Sequence, residues 1–451
     1  MKFLDALIQA KNDKKNIVIP DIKCFSPKEG DLMRGRNPVD YARTLVEAGA
    51  PVLSVVTESK EFKGSLRILR EIAEAVDVPI LRKDFIHTRR ELLETKEAGA
   101  SAILLMCSCL EREELIRLYH EAQELGLDPF VETHVKEDFA LVNELGVALL
   151  GINNRDILVL EKDDGDVSNT LSLASLAPKD AFLVTESSIK NPSEVRAAIA
   201  AGADAALVGT AILNAEYTAS FYQMMCRKVS LKICGLMKEE DIKTCVQLGV
   251  ERIGMVVEYP LSVPWNLTAE RAASLRNCIP GGYTACIVVG GSTEEIMDRV
   301  TKVRPDMVQL HYRENLTQVR DLTARLQPLG VGVIKTIPMT KESCLEQFGT
   351  DDVMKAVELL NDTDVDEYLV DPRHGDDVGS KNLKLDTELA KAVIQVSAKP
   401  VIVAGGLTAD NLAEVVERTS CAHVDLMNGS EDAPGQKNPD KIKQIVDLLN
   451  Q

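Results

Sequence analysis

No apolar run in the 451 residues approaches the roughly 18 that a membrane-spanning helix needs. The opening stretch, MKFLDALIQAKNDKK, is too short and too polar in its apolar part to be a signal peptide. Positive charge is also scarce: 52 Lys and Arg stand against 70 Asp and Glu, a net −18. That field repels phosphate backbones and anionic lipid, which excludes nucleic acid and membrane surfaces as partners. Any anionic ligand must be held by local cations and helix N-termini instead. Paired cysteines are missing too. The ten are scattered, and a chain this large needs no disulfide staples, so reduced thiols in a cytosol are expected. Cys107 and Cys109 form a lone CxC without a second ligand pair, so no metal is expected.

What the chain does have is an ordinary globular composition, 45% apolar and 27% charged, in a length that fits two parallel α/β barrels of about 250 residues or fewer. Helix-like stretches alternate with short apolar runs. In EREELIRLYHEAQELG, Leu115, Leu118, Tyr119 and Ala122 form one apolar stripe at helical spacing. Several such helices stop at a glycine followed by a new apolar run, at Gly49, Gly99, Gly126, Gly146, Gly202 and Gly249, as a left-handed helix-to-strand turn requires. Repeated strand–helix–glycine units imply parallel strands with right-handed crossovers. Strands are predicted to begin near Ile17, Val52, Pro79, Ala102, Pro129, Leu149, Phe182 and Ala205, then near Leu231, Arg252, Thr284, Met307, Gly332, Glu367, Pro400 and Ala422. Eight and eight predict an α/β protein of two tandem (βα)8 barrels, residues 1–227 and 228–451.

The apolar runs of the first half end in charge: IVIPDIK, PILRKDF, PFVETH, LLGINNRD and FLVTESS. A strand buried on both faces cannot hide an unpaired charge, so these ends must emerge at a solvated cleft. Lys23, Lys83 and Glu132 are thereby expected to converge at the C-terminal mouth of a barrel. Burial and a second ammonium are expected to lower the lysine pKa towards that of a usable acid. A rim-stiffening ion pair between Lys83 and Glu132 is the other reading of the same residues. Gly209 and Thr210 in ALVGTAI, and Ser187 and Ser188 in TESSIKNPSE, are each expected to open a helix and together to cradle a phosphate after strands seven and eight.

In the second half, Cys234 ends a first strand (LKICGL) and Asp371 a sixth (EYLVDPRHG), a thiol and a carboxyl suited to an acid/base pair. Free cysteine is otherwise most often a small buried apolar residue. VIVAGGLTADN and VDLMNGSED supply a second set of glycine turns, with Gly405, Gly406, Asn428 and Gly429 expected to hold a second phosphate.

Taken in order, IPDIKCFSPKEG, ILRKDF, VETH, GINNRD, VTESSI and ALVGTAI resemble indole-3-glycerol phosphate synthase over about residues 1–222. The resemblance implies closure of an indole ring on 1-(2-carboxyphenylamino)-1-deoxyribulose 5-phosphate with loss of carbon dioxide and water. It implies Lys83 as general acid, Lys23 on the substrate carboxylate and Glu132 as base. Ser26, Asn153, Arg155 and Glu186 would line the substrate, and Ser187, Leu207, Gly209 and Thr210 would hold its phosphate. The chain departs from that family at Asp21, the usual catalytic-site glutamate shortened by a methylene, at Phe25 in place of a phosphate-binding lysine that Lys28 is expected to replace, and at Ser188 in place of a glycine. Its N-terminal extension is also short.

KICGL, VQLH, VIVAGGLTADN and VDLMNG resemble phosphoribosylanthranilate isomerase over about residues 229–451. The implied reaction is an Amadori rearrangement in which Asp371 protonates the ring oxygen and Cys234 removes the C2 proton, with no cofactor needed. Trp265 stands where that family carries an arginine for the anthranilate carboxylate. It is expected to stack on the anthranilate or pack against its loop, with Arg373 supplying the cation, and His311 lines the site. The two resemblances meet in consecutive steps of tryptophan synthesis, and a bifunctional enzyme is the expectation. The alternative keeps one barrel active and makes the other a scaffold or gives it another phosphosugar.

Overall fold

The computed structural model describes residues 1–11, 14–155, 165–372 and 385–451. The chain divides into two compact units, Met1–Lys228 and Val229–Gln451. In the first, eight parallel strands close on themselves: β1 (Ile17–Ile22), β2 (Leu53–Val56), β3 (Ile80–Lys83), β4 (Ala102–Met106), β5 (Asp128–Thr133), β6 (Leu149–Asn153), β7 (Phe182–Glu186) and β8 (Ala205–Val208). Ring closure is made by β1 pairing both β8 and β2. The predicted strand starts fall on or within two residues of these, because both-face burial leaves each strand a nearly uninterrupted apolar run.

Two apolar layers sandwich the sheet. One lies between strands and outer helices and includes Leu115, Leu118, Tyr119 and Ala122, the stripe that the helical spacing predicts. The other fills the barrel interior with Ile17, Ile19, Leu81, Leu104, Phe130, Leu149, Val184 and Leu207. The short N-terminal helix Phe3–Ala10 joins this interior cluster through Phe3, Ala6 and Leu7. Its two large apolar side chains each contribute about 1.5–3 kcal/mol by burial. The helix is fixed to the start of β5 by the Leu4 amide donating to Asp128 at 3.0 Å.

The second unit repeats the plan with β9 (Ser230–Ile233), β10 (Arg252–Val257), β11 (Thr284–Val289), β12 (Met307–Leu310), β13 (Gly332–Pro338), β14 (Glu367–Asp371), β15 (Val401–Val403) and β16 (His423–Leu426). They run parallel in sequence order, and β9 pairs both β16 and β10 to close the ring. A two-residue strand, Asn266–Leu267, adds to β10 outside the ring. Helix termini follow local chemistry. Thr88 and Ser292 make reciprocal capping boxes with Glu91 and Glu295, and Gly146 ends its helix at φ 61° and ψ 46°, where a β-carbon is penalised. Among the described residues no helix is long and apolar enough to cross a membrane.

Candidate active sites

The alternation that points Ile19, Leu81, Phe130 and Val184 into the first barrel carries on to the strand ends. There it delivers Asp21, Lys83, Glu132, Asn153 and Glu186 to one mouth. Glu186 is the hub. It is fully buried and takes a 2.6 Å hydrogen bond from Lys83 Nζ, and it is in register with Asn153 on one side and Leu207 on the other. Room for its carboxylate comes from Gly151: a β-carbon there would lie 2.4 Å from Glu186 Oε1. Glu132 accepts from Asn153 Nδ2 at 2.9 Å and lies near enough to Glu186 to feel its charge. Burial, then the Glu186 charge, push the Glu132 carboxyl up to about 8, against the opposing pull of Lys83.

This geometry corrects one expectation about Lys83. Burial does work to discharge its ammonium, but the charges of Glu186, Asp21 and Glu132 outweigh it and raise the lysine pKa rather than lower it. A count of nearby lysines misses the three carboxylates. The direct partner of Lys83 is Glu186, so the rim pair with Glu132 is not the contact that forms. Asp21 accepts a 2.6 Å hydrogen bond from Ser54 Oγ and lies against Gly209, whose imagined β-carbon would be 3.3 Å from its Cβ. Lys23 is buried with its ammonium 5.7 Å from the centre of the Phe62 ring. Phe25, at the position of the family's lysine, lies 3.8 Å beneath the ammonium of Lys63. Ser26 is buried, and its hydroxyl accepts from the amides of Lys28 and Glu29.

Beyond β8, Gly209 caps the helix Thr210–Asn214, as predicted. Beyond β7 the outcome differs: the helix starts at Pro192 with Asn191 as its cap, and Ser187 and Ser188 instead take successive left-handed conformations, φ 67° and 62°. The Asn154 amide group clamps this turn, donating to Thr185 Oγ1 and to the carbonyls of Glu186 and Ser187. Arg155 follows, with its amide on Asn153 Oδ1 and its Nε on Ser188 Oγ, both at 2.9 Å.

In the second barrel, Cys234, His311, Asp371, Gly405, Gly406, Asn428 and Gly429 line one cavity of about 820 Å³ including its open mouth. Only glycine fits two of these turns. A β-carbon on Gly405 would come within 2.1 Å of Pro372, and one on Gly429 within 2.0 Å of the Leu407 carbonyl oxygen. Beneath the cavity floor, Lys232 Nζ, almost wholly buried, donates to Asp425 at 2.6 Å and to Gln309 Oε1 at 2.9 Å. Gln309 must therefore present its NH2 to His311 Nδ1, 3.0 Å away, which leaves the Nε2–H of His311 facing Asp371 Oδ2 at 3.4 Å. Burial raises the Cys234 thiol pKa, and the nearby Lys232 ammonium is the main influence drawing it back down.

Trp265 lies in the cavity wall and not among the lining residues. Its indole N–H donates to both carboxylate oxygens of Glu431, at 3.2 and 3.1 Å, and its ring packs behind Gly235 with Val256, Tyr259 and Val288. A side chain so held is packed against its loop and does not offer a face for stacking. Arg373 lies outside the described residues. The motifs contain Gly151, Lys232, Gln309 and Asp425 without marking them as site residues. A glycine inside the strand LLGIN is a signal of close approach. A lysine between two apolar residues in LKI signals a buried cation in need of a partner.

Family models match both halves: indole-3-glycerol phosphate synthase over residues 1–225 and N-(5'-phosphoribosyl)anthranilate isomerase over residues 231–448. The first half is similar to an indole-3-glycerol phosphate synthase of Thermococcus kodakarensis, 45% identical over 201 residues that cover 45% of this chain and 88% of that protein. Both halves together are similar to the tryptophan biosynthesis protein TrpCF of Helicobacter pylori, 27% identical over 97% of this chain and 91% of that protein. They are also similar to the multifunctional tryptophan biosynthesis protein of Schizosaccharomyces pombe, 29% identical over 100% of this chain and 61% of that one. Two closed barrels, each with its own cluster of charged and thiol groups and each matched along its length, show that the chain belongs to the bifunctional indole-3-glycerol phosphate synthase–phosphoribosylanthranilate isomerase family of tryptophan biosynthesis.

Proposed function

We propose the following division of roles for the two activities. In the second barrel, Asp371 gives a proton to the furanose oxygen of N-(5-phosphoribosyl)anthranilate, which opens the sugar to an iminium ion. Cys234 then takes the C2 proton, and the enolamine relaxes to the 1-deoxyribulose. His311 steadies Asp371 through its Nε2–H, and Lys232 favours the thiolate at Cys234. The turns at Gly405, Gly406, Asn428 and Gly429 take the phosphate on backbone N–H groups.

In the first barrel, Lys83 protonates the ribulose carbonyl as the aryl carbon attacks. The product ring restores aromaticity by losing carbon dioxide and then water, with Glu132 as base. Glu186 keeps Lys83 charged and aimed, Lys23 takes the substrate carboxylate, and Gly209 and Thr210 with Ser187 take the phosphate. Asn153, Arg155 and Ser26 line the site. The partners are thus small phosphosugar–anthranilate molecules, and the proposed compartment is the cytosol.

The observation that carries this reading is the gathering of an acid and a base from strands far apart in sequence at one mouth of each barrel. The test is reciprocal inactivation. Lys83→Met should abolish ring closure and spare isomerisation, whereas Cys234→Ala should do the reverse, each scored by complementation of hosts lacking one activity. Loss of both activities in either folded variant, or of neither, would overturn the assignment.

A further inference from the structure

The turn after β7 carries a conformational cost that its hydrogen bonds explain. Left-handed backbone is uncommon outside glycine, yet Ser187 and Ser188 adopt it one after the other, at φ 67° and 62°. Strain of this kind persists where surrounding contacts over-determine it, and it concentrates at functional sites. The Asn154 amide accounts for the backbone of the turn, since it bonds the carbonyls of Glu186 and Ser187. It does not account for a side chain at 188, where glycine would take the same angles without penalty. What serine adds there is one hydroxyl. That hydroxyl is buried and accepts the Arg155 Nε hydrogen at 2.9 Å.

A second feature bears on the same contact. Gly165 crosses directly over the pair: a β-carbon on it would sit 2.5 Å from Ser188 Oγ and 3.3 Å from Arg155 Cγ. The hydroxyl is thus pinned between a backbone with no side chain and the guanidinium it holds.

The geometry points to Ser188 as a positioning residue for ring closure, one whose hydroxyl sets the direction of the Arg155 guanidinium at the mouth of the first barrel. This rests on the reading of Arg155 as a residue that lines the substrate. A guanidinium is a rigid planar fork, so a bond that fixes its rotation decides which of its N–H groups face the substrate. With Nε committed to Ser188, the fork is oriented before substrate arrives, which reduces the ordering cost of binding.

The test uses the full chain and steady-state ring closure with 1-(2-carboxyphenylamino)-1-deoxyribulose 5-phosphate, with isomerase activity of the same preparation as the internal standard. Ser188→Gly should raise KM about fivefold, the value of one ordinary hydrogen bond, and leave kcat within about twofold. It should not lower the thermal midpoint, because glycine relieves the backbone. Ser188→Asn, which tolerates the left-handed region and keeps an acceptor oxygen, should recover most of the KM. In an Arg155→Ala background, Ser188→Gly should have no further effect on KM.

Wild-type kinetics for Ser188→Gly beside a raised KM for Arg155→Ala would overturn the role of Ser188 alone. Equal losses in both backgrounds would show that the hydroxyl acts independently of Arg155 and would overturn it as well. Wild-type kinetics for Arg155→Ala would overturn the lining role of Arg155, and the inference with it.

Discussion

Gly151→Ala is the smallest change that should disable ring closure. The added methyl carbon would stand 2.4 Å from Glu186 Oε1 and 2.8 and 2.9 Å from two carbons of the Phe130 ring. Ordinary van der Waals contact starts about 1 Å further out. Phe130 is fully buried in the interior cluster and cannot retreat, so the carboxylate must yield. Because Glu186 holds Lys83 Nζ at 2.6 Å and its charge acts on Glu132, moving it by about 1 Å disturbs the proposed acid and base together. Misplacement on that scale costs about a hundredfold in rate, and overpacking of this kind costs about 1–3 kcal/mol of stability. The variant should therefore lose about two orders of magnitude in kcat for indole-glycerol formation, followed by indole fluorescence. Its isomerase rate should be unchanged and its first unfolding transition slightly lowered. Ring closure within about twofold of wild type would refute the account of how Glu186 is seated.

Two further outcomes follow from the buried charges. Folding raises the Glu132 carboxyl from 4.5 to about 8, so between those values the native state holds a proton that the unfolded chain releases. The stability contributed by this group is complete below pH 4.5 and declines as pH rises to about 8. The basic form grows over the same window. Ring closure kcat/KM should thus climb towards pH 8, and Glu132→Gln should lose about 10²–10⁴-fold in rate and flatten the climb; a mutant profile with the wild-type slope would disprove the base assignment. Lys232→Met should leave Asp425 as an unpaired buried charge and cost about 3–5 kcal/mol in denaturant titration. It should also move the isomerase pH profile to more alkaline values, because the cation that draws the Cys234 thiol down is gone. Adding Asp425→Asn should restore stability without the original pH profile, and recovery of both would contradict that role for Lys232.

The sixteen strand positions were legible because a parallel strand covered on both faces has to be apolar almost throughout, and the charged residue that ends it marks the mouth of the barrel. Lys83, Glu132 and Glu186 were found by that rule alone. Their pairing was not, since the sequence carries no record of which long side chain reaches across a closed ring. Lys83 and Glu186 are 103 residues apart, and the carboxylates that raise the lysine pKa come from three separate strands. The same blindness hid the Lys232–Asp425 pair, separated by 193 residues. Ser187 and Ser188 were misplaced for a different reason: a serine doublet before an Asn-Pro is compatible with a helix start, and Asn191 competes for the cap with better geometry. Trp265 gave no signal of its partner because Glu431 sits 166 residues away.

The two interiors differ in how much buried charge they carry, and this bears on how each site keeps its charges. In the first barrel the layer beneath the mouth is apolar, from Leu81 and Leu104 through Phe130 down to Phe3 and Leu7. The charged cluster rests on a low-dielectric floor, which strengthens the Lys83–Glu186 attraction and is also why Glu132 retains its proton. In the second barrel the interior is partly ionic: beside the apolar cluster of Ile334, Leu369, Ile402 and Ala404, Lys232 pairs with Asp425 and Gln309 near Cys234, and Arg252 at the start of β10 pairs with Glu367 at the start of β14. There the field at the thiol is set by fixed charges below the cavity. An apolar floor resists only changes of volume. An ionic floor resists changes of volume and punishes the loss of any one partner with an uncompensated charge. Single substitutions beneath the second mouth should therefore be the more damaging to their barrel, and paired substitutions that remove both charges the more readily tolerated.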